Sequence, residues 1–415
     1  MIQDPYAYFI FNRSLLNWLG NHNTLFLGPS YFFWKSMSDF ASLLGQLQES
    51  AQNFSGKTLK SKQCTESEVQ QPHKRSRQLD ANSFPPVQKI FLLCPAGAQT
   101  GGPEALHQLC DQLNESTNIP AYILYVVSDG SAVSFASRAK TPVPYQHYNA
   151  PAVSYDALRQ GNSSHLMIWP ECWTDEMLDY LEHCTSEPTP CAIWWLSVDN
   201  NTRRFKAWER KDIIHLYQSE YAKQHLLTHG TTYVYQMTEY ISNPPIPDTS
   251  INRSIEVLFN PLKGVHYTDA IRKRSGGAIQ FRPIGAGPEG TVRISPENVR
   301  GLLLQAKIYI DFGPHPGMDR LPREAALAGC LVVTNREGAA QYDEDVPLPA
   351  KYKVLKFDPE AVHKLLKDLL ANSETCNAEL EEYRTWIRGQ KERMKACVAN
   401  LVEELVTKRT KASKV

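Results

Sequence analysis

Four side chains able to do chemistry, His315, Asp319, Arg320 and Glu324, lie in the run DFGPHPGMDRLPREAALAG at 311–329, with Gly313 and Gly317 between them. Free backbone amides at a helix N-terminus, together with Arg320, favour an anion and above all a phosphate. Glu324 can accept hydrogen bonds from sugar hydroxyls, and His315 and Asp319 can hold or move protons. Lys263, in FNPLKG at 259–264, could add a point charge to the same phosphate, or be an exposed turn lysine. Gly101 and Gly102, in GAQTGGPE at 97–104, let backbone approach a ligand closely, or make a tight turn. Ser197, Asp199 and Asn200 follow the apolar run CAIWWL and could orient a second substrate. Asp199 is the best placed of these for a polar or basic role, and serves equally well as a strand-end cap.

Positioning these groups needs strands that end where the glycines begin. Ile308–Ile310 is β-branched and aromatic, and 311–317 breaks it with two glycines and two prolines. Pro322 suits the first turn of a helix over 323–328, which Gly329 ends before the strand 331–333. Such sheets bind ligands beyond the carboxyl ends of their strands. Further apolar runs at 90–94, 122–128, 165–171 and 191–197 alternate with helical or loop segments, and a second series begins at 255–261 and continues at 278–284, 307–312, 331–334 and 352–357. The pattern predicts an α/β protein of two Rossmann-like domains facing across a cleft, with parallel sheets covered on both faces.

The expected divisions are an N-terminal extension at 1–50, a polar disordered linker at 51–86, a first domain at 87–247, a second at 248–373, and a C-terminal helix and tail at 374–415. Tyr31–Trp34 make the extension aromatic, and it is read as docked rather than membrane-bound. The proline-rich YISNPPIPDTS at 240–250 suits the connection between domains. After Glu360 the apolar stripes describe two helices, one carrying Leu365, Leu366, Leu369 and Leu370, the other Leu380, Tyr383, Ile387, Met394, Val398 and Leu401. Ser219 reads as the N-cap of a helix, close to His215.

Forty-four basic and 44 acidic residues cancel, so nothing global calls for nucleic acid or an anionic membrane. No apolar run reaches the ~18 residues of a membrane span, and membrane contact is expected to be peripheral at most. Nine cysteines without a C-x-x-C pair argue against a disulfide framework or zinc site. Cys94 and Cys330 are expected to pack as small hydrophobes in a cytoplasmic protein.

Three places, GAQTGGPE, NPLKG and PREAALAGCLVVTNREGAA, make the chain from about 89 to 405 resemble the retaining nucleotide-sugar glycosyltransferases of the GT-B fold, the large group 1 family. Among them it is most similar to a bacterial-type branch with a DFGxHPGxDRxPREAA signature. The resemblance implies a hexosyltransferase-like activity with a nucleoside-diphosphate sugar as co-substrate, no other cofactor, and a glycan, lipid or small-molecule acceptor. It implies that the first domain, 87–247, takes the acceptor and the second, 248–373, the nucleotide sugar, that Glu324 binds the ribose, that Lys263 binds the donor phosphates, and that Gly101, Gly102, Gly317 and Arg320 line the donor site. Where the family often carries a second glutamate contacting the donor sugar, this chain has Pro316, with His315 and Asp319 as neighbours able to substitute. The resemblance also implies a metal-free mechanism.

Two other classes remain open on the residues alone. GAGPEG at 285–290 fits the dinucleotide fingerprint, with Asp311 near the customary distance, although Thr291–Ile294 separate it from the next helix start. A catalytically silent binding or scaffold protein on the same fold, or a sugar-nucleotide epimerase, would use the same pocket.

Overall fold

The computed structural model describes residues 87–412, except 129–132, 137–139, 160–163, 185–188, 201–209, 211–212, 232–233, 248–249 and 288–289. The expected extension at 1–50 and linker at 51–86 both lie outside the described residues.

Among the described residues, thirteen strands form two sheets. The first holds β1 (Lys89–Pro95), β2 (Ala121–Ser128), β3 (Val133–Phe135), β4 (Ala152–Val153), β5 (His165–Pro170), β6 (Cys191–Trp195), β7 (Ile213–Tyr217) and β8 (Val234–Gln236). Its order is β3-β2-β1-β5-β6-β7-β8, with β4 also on β2, and only β3 is antiparallel. The second sheet is fully parallel, in the order β10 (Phe281–Pro283), β9 (Ile255–Phe259), β11 (Ala306–Asp311), β12 (Leu331–Asn335) and β13 (Lys353–Val354). Each order reverses once, between β1 and β5 and between β9 and β11. In open α/β sheets the ligand crevice lies at such switch points.

The helices are α1 (Gly101–Ser116), α2 (Tyr155–Arg159), α3 (Thr174–Cys184), α4 (Glu220–Thr228), α5 (Val265–Ser275), α6 (Pro296–Gln305), α7 (Arg320–Leu327), α8 (Pro359–Ala371), α9 (Ser373–Ala378), α10 (Glu381–Arg388) and α11 (Gln390–Ala412). Both faces of the first sheet are covered. Ile90, Leu92 and Cys94 turn toward α1 and α11, whereas Phe91 and Leu93 share a cluster with Met177 of α3 and Leu226 of α4. Two buried faces explain why these strands read as continuous apolar runs. Each fully buried aliphatic side chain contributes about 1.5–3 kcal/mol relative to exposure.

Several elements differ from the sequence reading. Helix α7 starts at Arg320, before Pro322, because the first-turn amides of a helix have no intrahelical partner and proline loses nothing there. The apolar run 352–357 yields only the two-residue β13, and β7 and β8 are strands that the pattern at 213–236 did not announce. The expected second C-terminal helix is three pieces, α9, α10 and α11. Tyr383 and Ile387 of α10 belong to the core of the second lobe, whereas Met394, Val398, Leu401 and Leu405 of α11 belong to that of the first. One straight helix cannot serve both cores, and the chain changes helix at Gly389.

Candidate functional site

At the switch point of the second sheet, the loops after β9 and β11 interlock. Gly264 caps α5 in the left-handed region (φ 57°), and a Cβ there would run into the Phe312 carbonyl. This approach delivers Lys263 to the residues that follow β11. Its Nζ lies 3.0 Å from Asp311 Oδ1, 2.6 Å from Asp319 Oδ2 and 3.0 Å from His315 Nδ1. His315 Nδ1 also faces Asp319 Oδ2 at 2.8 Å, and its Nε2 meets Asn335 Oδ1 at 3.0 Å. Burial pushes the Asp311 carboxyl above its usual range against the pull of Lys263. Burial pushes on Asp319 too, but the His315 hydrogen bond and the Lys263 charge outweigh it and hold that carboxyl low. The donor atoms of Asp311, His315 and Asp319 lie within 4.8 Å of one another, as a cation site would need. Their common neighbour is the Lys263 ammonium, which supplies the positive charge this group requires.

Helix α7 carries the rest of the cluster toward the first lobe. Arg320 lies 3.3 Å from Glu104 Oε2 on α1, 3.5 Å from Glu239 Oε2 after β8, and 3.7 Å from Glu324 Oε1 one turn along. Arg323, buried, forms an ion pair with Glu239 and donates to Gln390 Oε1 at 2.9 Å. Charges this deep persist only when paired. A Cβ on Gly101 would sit 2.8 Å from Arg320 Cδ, so the glycine is where the lobes touch. Gly317 plays the same part, since a Cβ there would strike the Leu196 carbonyl oxygen. Around it, Val198 N donates to Pro316 O at 3.0 Å and Met318 N to Gln218 Oε1 at 3.0 Å. Asp345 accepts from Glu220 N at 2.6 Å and Tyr221 N at 3.1 Å, capping α4, whose N-cap Ser219 accepts from Ala222 N.

Between the lobes lies a cleft of about 420 Å³, lined among others by Gly101, Gly102, Glu171, Ser197, Gln218, Glu239, Asp319 and Arg320. Glu171 directly follows β5, beside the switch point of the first sheet, and Oε2 accepts from Leu196 N at 3.0 Å. Burial pushes its carboxyl up to about 7, against the lowering by backbone amides of Leu196 and Ser197. Sequence reasoning did not single out Glu171, Glu239 or Gln218. A carboxylate immediately after an apolar strand was the one available signal for Glu171.

The structure thus brings Lys263, His315 and Asp319 together, and Arg320 with Glu324, and sets Gly101, Gly102 and Ser197 opposite. Asp199 stands apart. It is exposed on a short helical turn over Val198–Asn200, where it accepts from Tyr221 OH at 2.8 Å. His215 is buried in β7, receives Trp195 Nε1–H at 3.0 Å, and is pushed by burial down to about 4. The glycines of GAGPEG fold back on one another: a Cβ on Gly285 would meet Gly290, and Ala286 bridges to Val292 before α6 begins. A dinucleotide fingerprint would instead run straight into a helix.

This arrangement is the GT-B fold. Sucrose-phosphate synthase (tll1590) from Thermosynechococcus elongatus superposes with a TM-score of 0.55 at 11% identity, over 77% of this chain and 99% of that one. TarM gives 0.56 at 10% identity, over 76% and 98%. Alr3699/HepE from Anabaena, solved in complex with UDP and glucose, gives 0.50 at 11% identity, over 76% and 100%. No family model matches the chain, and no curated protein sequence is significantly similar to it. At identities this low the superpositions show the shared fold alone. Among the described residues, no helix is long and apolar enough to cross a membrane.

Proposed function

We propose that this chain is a glycosyltransferase that moves a sugar from a nucleoside-diphosphate sugar to a hydroxyl acceptor. The observation carrying this reading is the convergence of Lys263, Arg320 and Glu324 at the switch point of the second sheet, opposite the Gly101–Gly102 helix start of the first. Glu324 would take the ribose hydroxyls, and Lys263 the diphosphate, exchanging Asp319 for a phosphate oxygen. In the transfer, the acceptor hydroxyl oxygen bonds to the anomeric carbon as that carbon's bond to the diphosphate oxygen breaks; the electron pair leaves on the nucleotide, whose freed phosphate oxygen takes the hydroxyl proton. Lys263 and the amides of the 313–322 loop would stabilise the charge without a metal, in the manner of a preorganised anion site. The HepE complex with UDP and glucose supports the ligand class, and retention of configuration is carried over from the family resemblance. A second reading, nucleotide binding without transfer, is favoured by Pro316 and by the carboxylates already holding Lys263.

Thermal shift with nucleoside diphosphates and nicotinamide dinucleotides side by side tests the class. Nucleoside diphosphates are expected to stabilise the protein, and stabilisation by nicotinamide dinucleotides alone would overturn the reading. Glu324→Ala is expected to weaken the nucleotide sugar by roughly ten- to a hundredfold, because a charge-assisted hydrogen bond is worth about 1.5–3 kcal/mol. Lys263→Ala should weaken a nucleoside diphosphate more than its nucleoside. A chelator should leave transfer intact.

A further inference from the structure

We propose that a second cavity, beside the connection between the lobes, is an effector site for a small zwitterion carrying one ammonium and one carboxylate or phosphate, and that its occupancy tightens nucleoside diphosphate binding. The coupling, though not the site, rests on the glycosyltransferase reading above.

This cavity, of about 420 Å³, shares no lining residue with the interlobe cleft. Its volume falls within the ~300–1,000 Å³ of small-molecule sites. Both lobes line it: Asp111 and Glu115 lie one turn apart on α1, Arg388 is on α10, Lys391 opens α11, and Tyr240 and Ser242 belong to the interlobe connection. Its charges are segregated, carboxylates on α1 and cations on α10 and α11. Asp111, 6% exposed, accepts from amides, Asn149 N at 2.7 Å and Gln112 Nε2 at 3.2 Å, and Glu115 accepts from the same Gln112 amide. Among the described residues no cation pairs with either carboxylate. Lys391 likewise has no carboxylate partner there, and its ammonium lies 5.7 Å from the centre of the Tyr240 ring. A zwitterion supplies both missing partners, its ammonium to α1 and its anionic group to Lys391. A singly charged molecule would instead leave one wall uncompensated and face repulsion from the other. Tyr240 adds an independent sign of a ligand. It is 6% exposed and lines the cavity, yet its hydroxyl bonds to no described residue, an arrangement that costs free energy until something in the cavity meets it. Burial first, then Tyr148, Asp111 and Glu115, push this phenol up, so it remains a donor.

Hydrogen bonds connect the cavity with the cleft. Tyr148 OH donates to Glu104 Oε1 at 3.1 Å, Ser242 Oγ donates to the same oxygen, and Glu104 Oε2 stands 3.3 Å from Arg320. Gln108 Nε2 ties Tyr240 O at 2.8 Å and Ser242 Oγ at 2.9 Å to α1. A ligand touching α1, the connection and α10 together binds best at the lobe spacing in which Arg320 and Glu324 face Gly101 and Gly102. By linkage, a nucleoside diphosphate that needs the same spacing tightens it by the same factor.

The test uses the full chain. Isothermal titration takes the standard amino acids and phosphoethanolamine one at a time, with butylamine, butyrate and glucose as singly charged and neutral probes, on wild type, Lys391→Met and Tyr240→Phe. Methionine keeps a stem over the Tyr240 ring and phenylalanine keeps the ring, so each variant removes one polar group. At least one zwitterion is expected to bind about tenfold more tightly than all three control probes, and either variant to weaken it about tenfold, roughly 1.4 kcal/mol. On wild type the same zwitterion should tighten UDP several-fold, while UDP affinity in its absence stays equal in the three proteins. No preference for a zwitterion, binding indifferent to both variants, or a zwitterion that competes with UDP would overturn the site. A zwitterion that binds and leaves UDP affinity unchanged would overturn the coupling. Wild type that takes a zwitterion but no nucleoside diphosphate would overturn the parent reading and uphold the site.

Discussion

Lys263 shows how one residue can be legible in sequence while its state is not. The NPLKG turn makes it a candidate phosphate ligand, but only the fold sets Asp311, Asp319 and His315 around its ammonium. On the proposed donor site, Asp319 would compete with an incoming phosphate for Lys263. Asp319→Asn is expected to tighten nucleoside diphosphate binding several-fold, since a full charge pairing is removed from a partly buried lysine; isothermal titration showing weaker binding would refute the competition. Glu171 gives a second residue-scale prediction. Its folded-state pKa is raised from 4.5 to about 7, so the stability it contributes is fully present below about 4.5 and lost as pH rises through about 7. The unfolding free energy of Glu171→Gln should exceed that of wild type by a gap that opens over this window and levels off above it, of order 3 kcal/mol. Denaturant titrations from pH 4 to 8 check it. A gap that shrinks with rising pH would contradict the sign.

At the level of elements, the loop between β11 and α7 does two jobs. Its glycines suggested a phosphate cradle in the sequence, yet Gly317 is positioned to let backbone meet backbone between the lobes, against the Leu196 carbonyl. The alternative is a clash that no side-chain rotation relieves, because the obstacle is a carbonyl. Gly317→Ala is expected to cost roughly 1–3 kcal/mol and to loosen the Val198–Pro316 and Met318–Gln218 hydrogen bonds. Hydrogen exchange at Val198 and Met318 would report it. The strands carrying this loop were legible because β-branched and aromatic runs between glycines admit few other readings. The starts of α7 and the break between α10 and α11 were not, since proline in a first turn and glycine between helices leave the boundary to tertiary contacts.

Across the whole molecule, α11 ties the lobes together by returning from the second core to the first. Leu401 is fully buried in that first core, and Leu401→Ala is expected to cost about 2–5 kcal/mol. The variant should lower the melting midpoint of the first lobe most, which site-resolved hydrogen exchange can distinguish. The sequence by itself determined the class of fold, the order of most strands, and the candidacy of Lys263, Arg320 and Glu324, because periodicity, glycine turns and helix starts are local properties of the chain. Only the tertiary structure decided which of these groups meet. It left Asp199 on the surface, buried His215 within strand β7, brought Glu171 into the cleft, and surrounded both Lys263 and Arg320 with carboxylates. The physical reason is that charge pairing and desolvation depend on distances between residues far apart in the chain, and those are fixed only when the lobes pack.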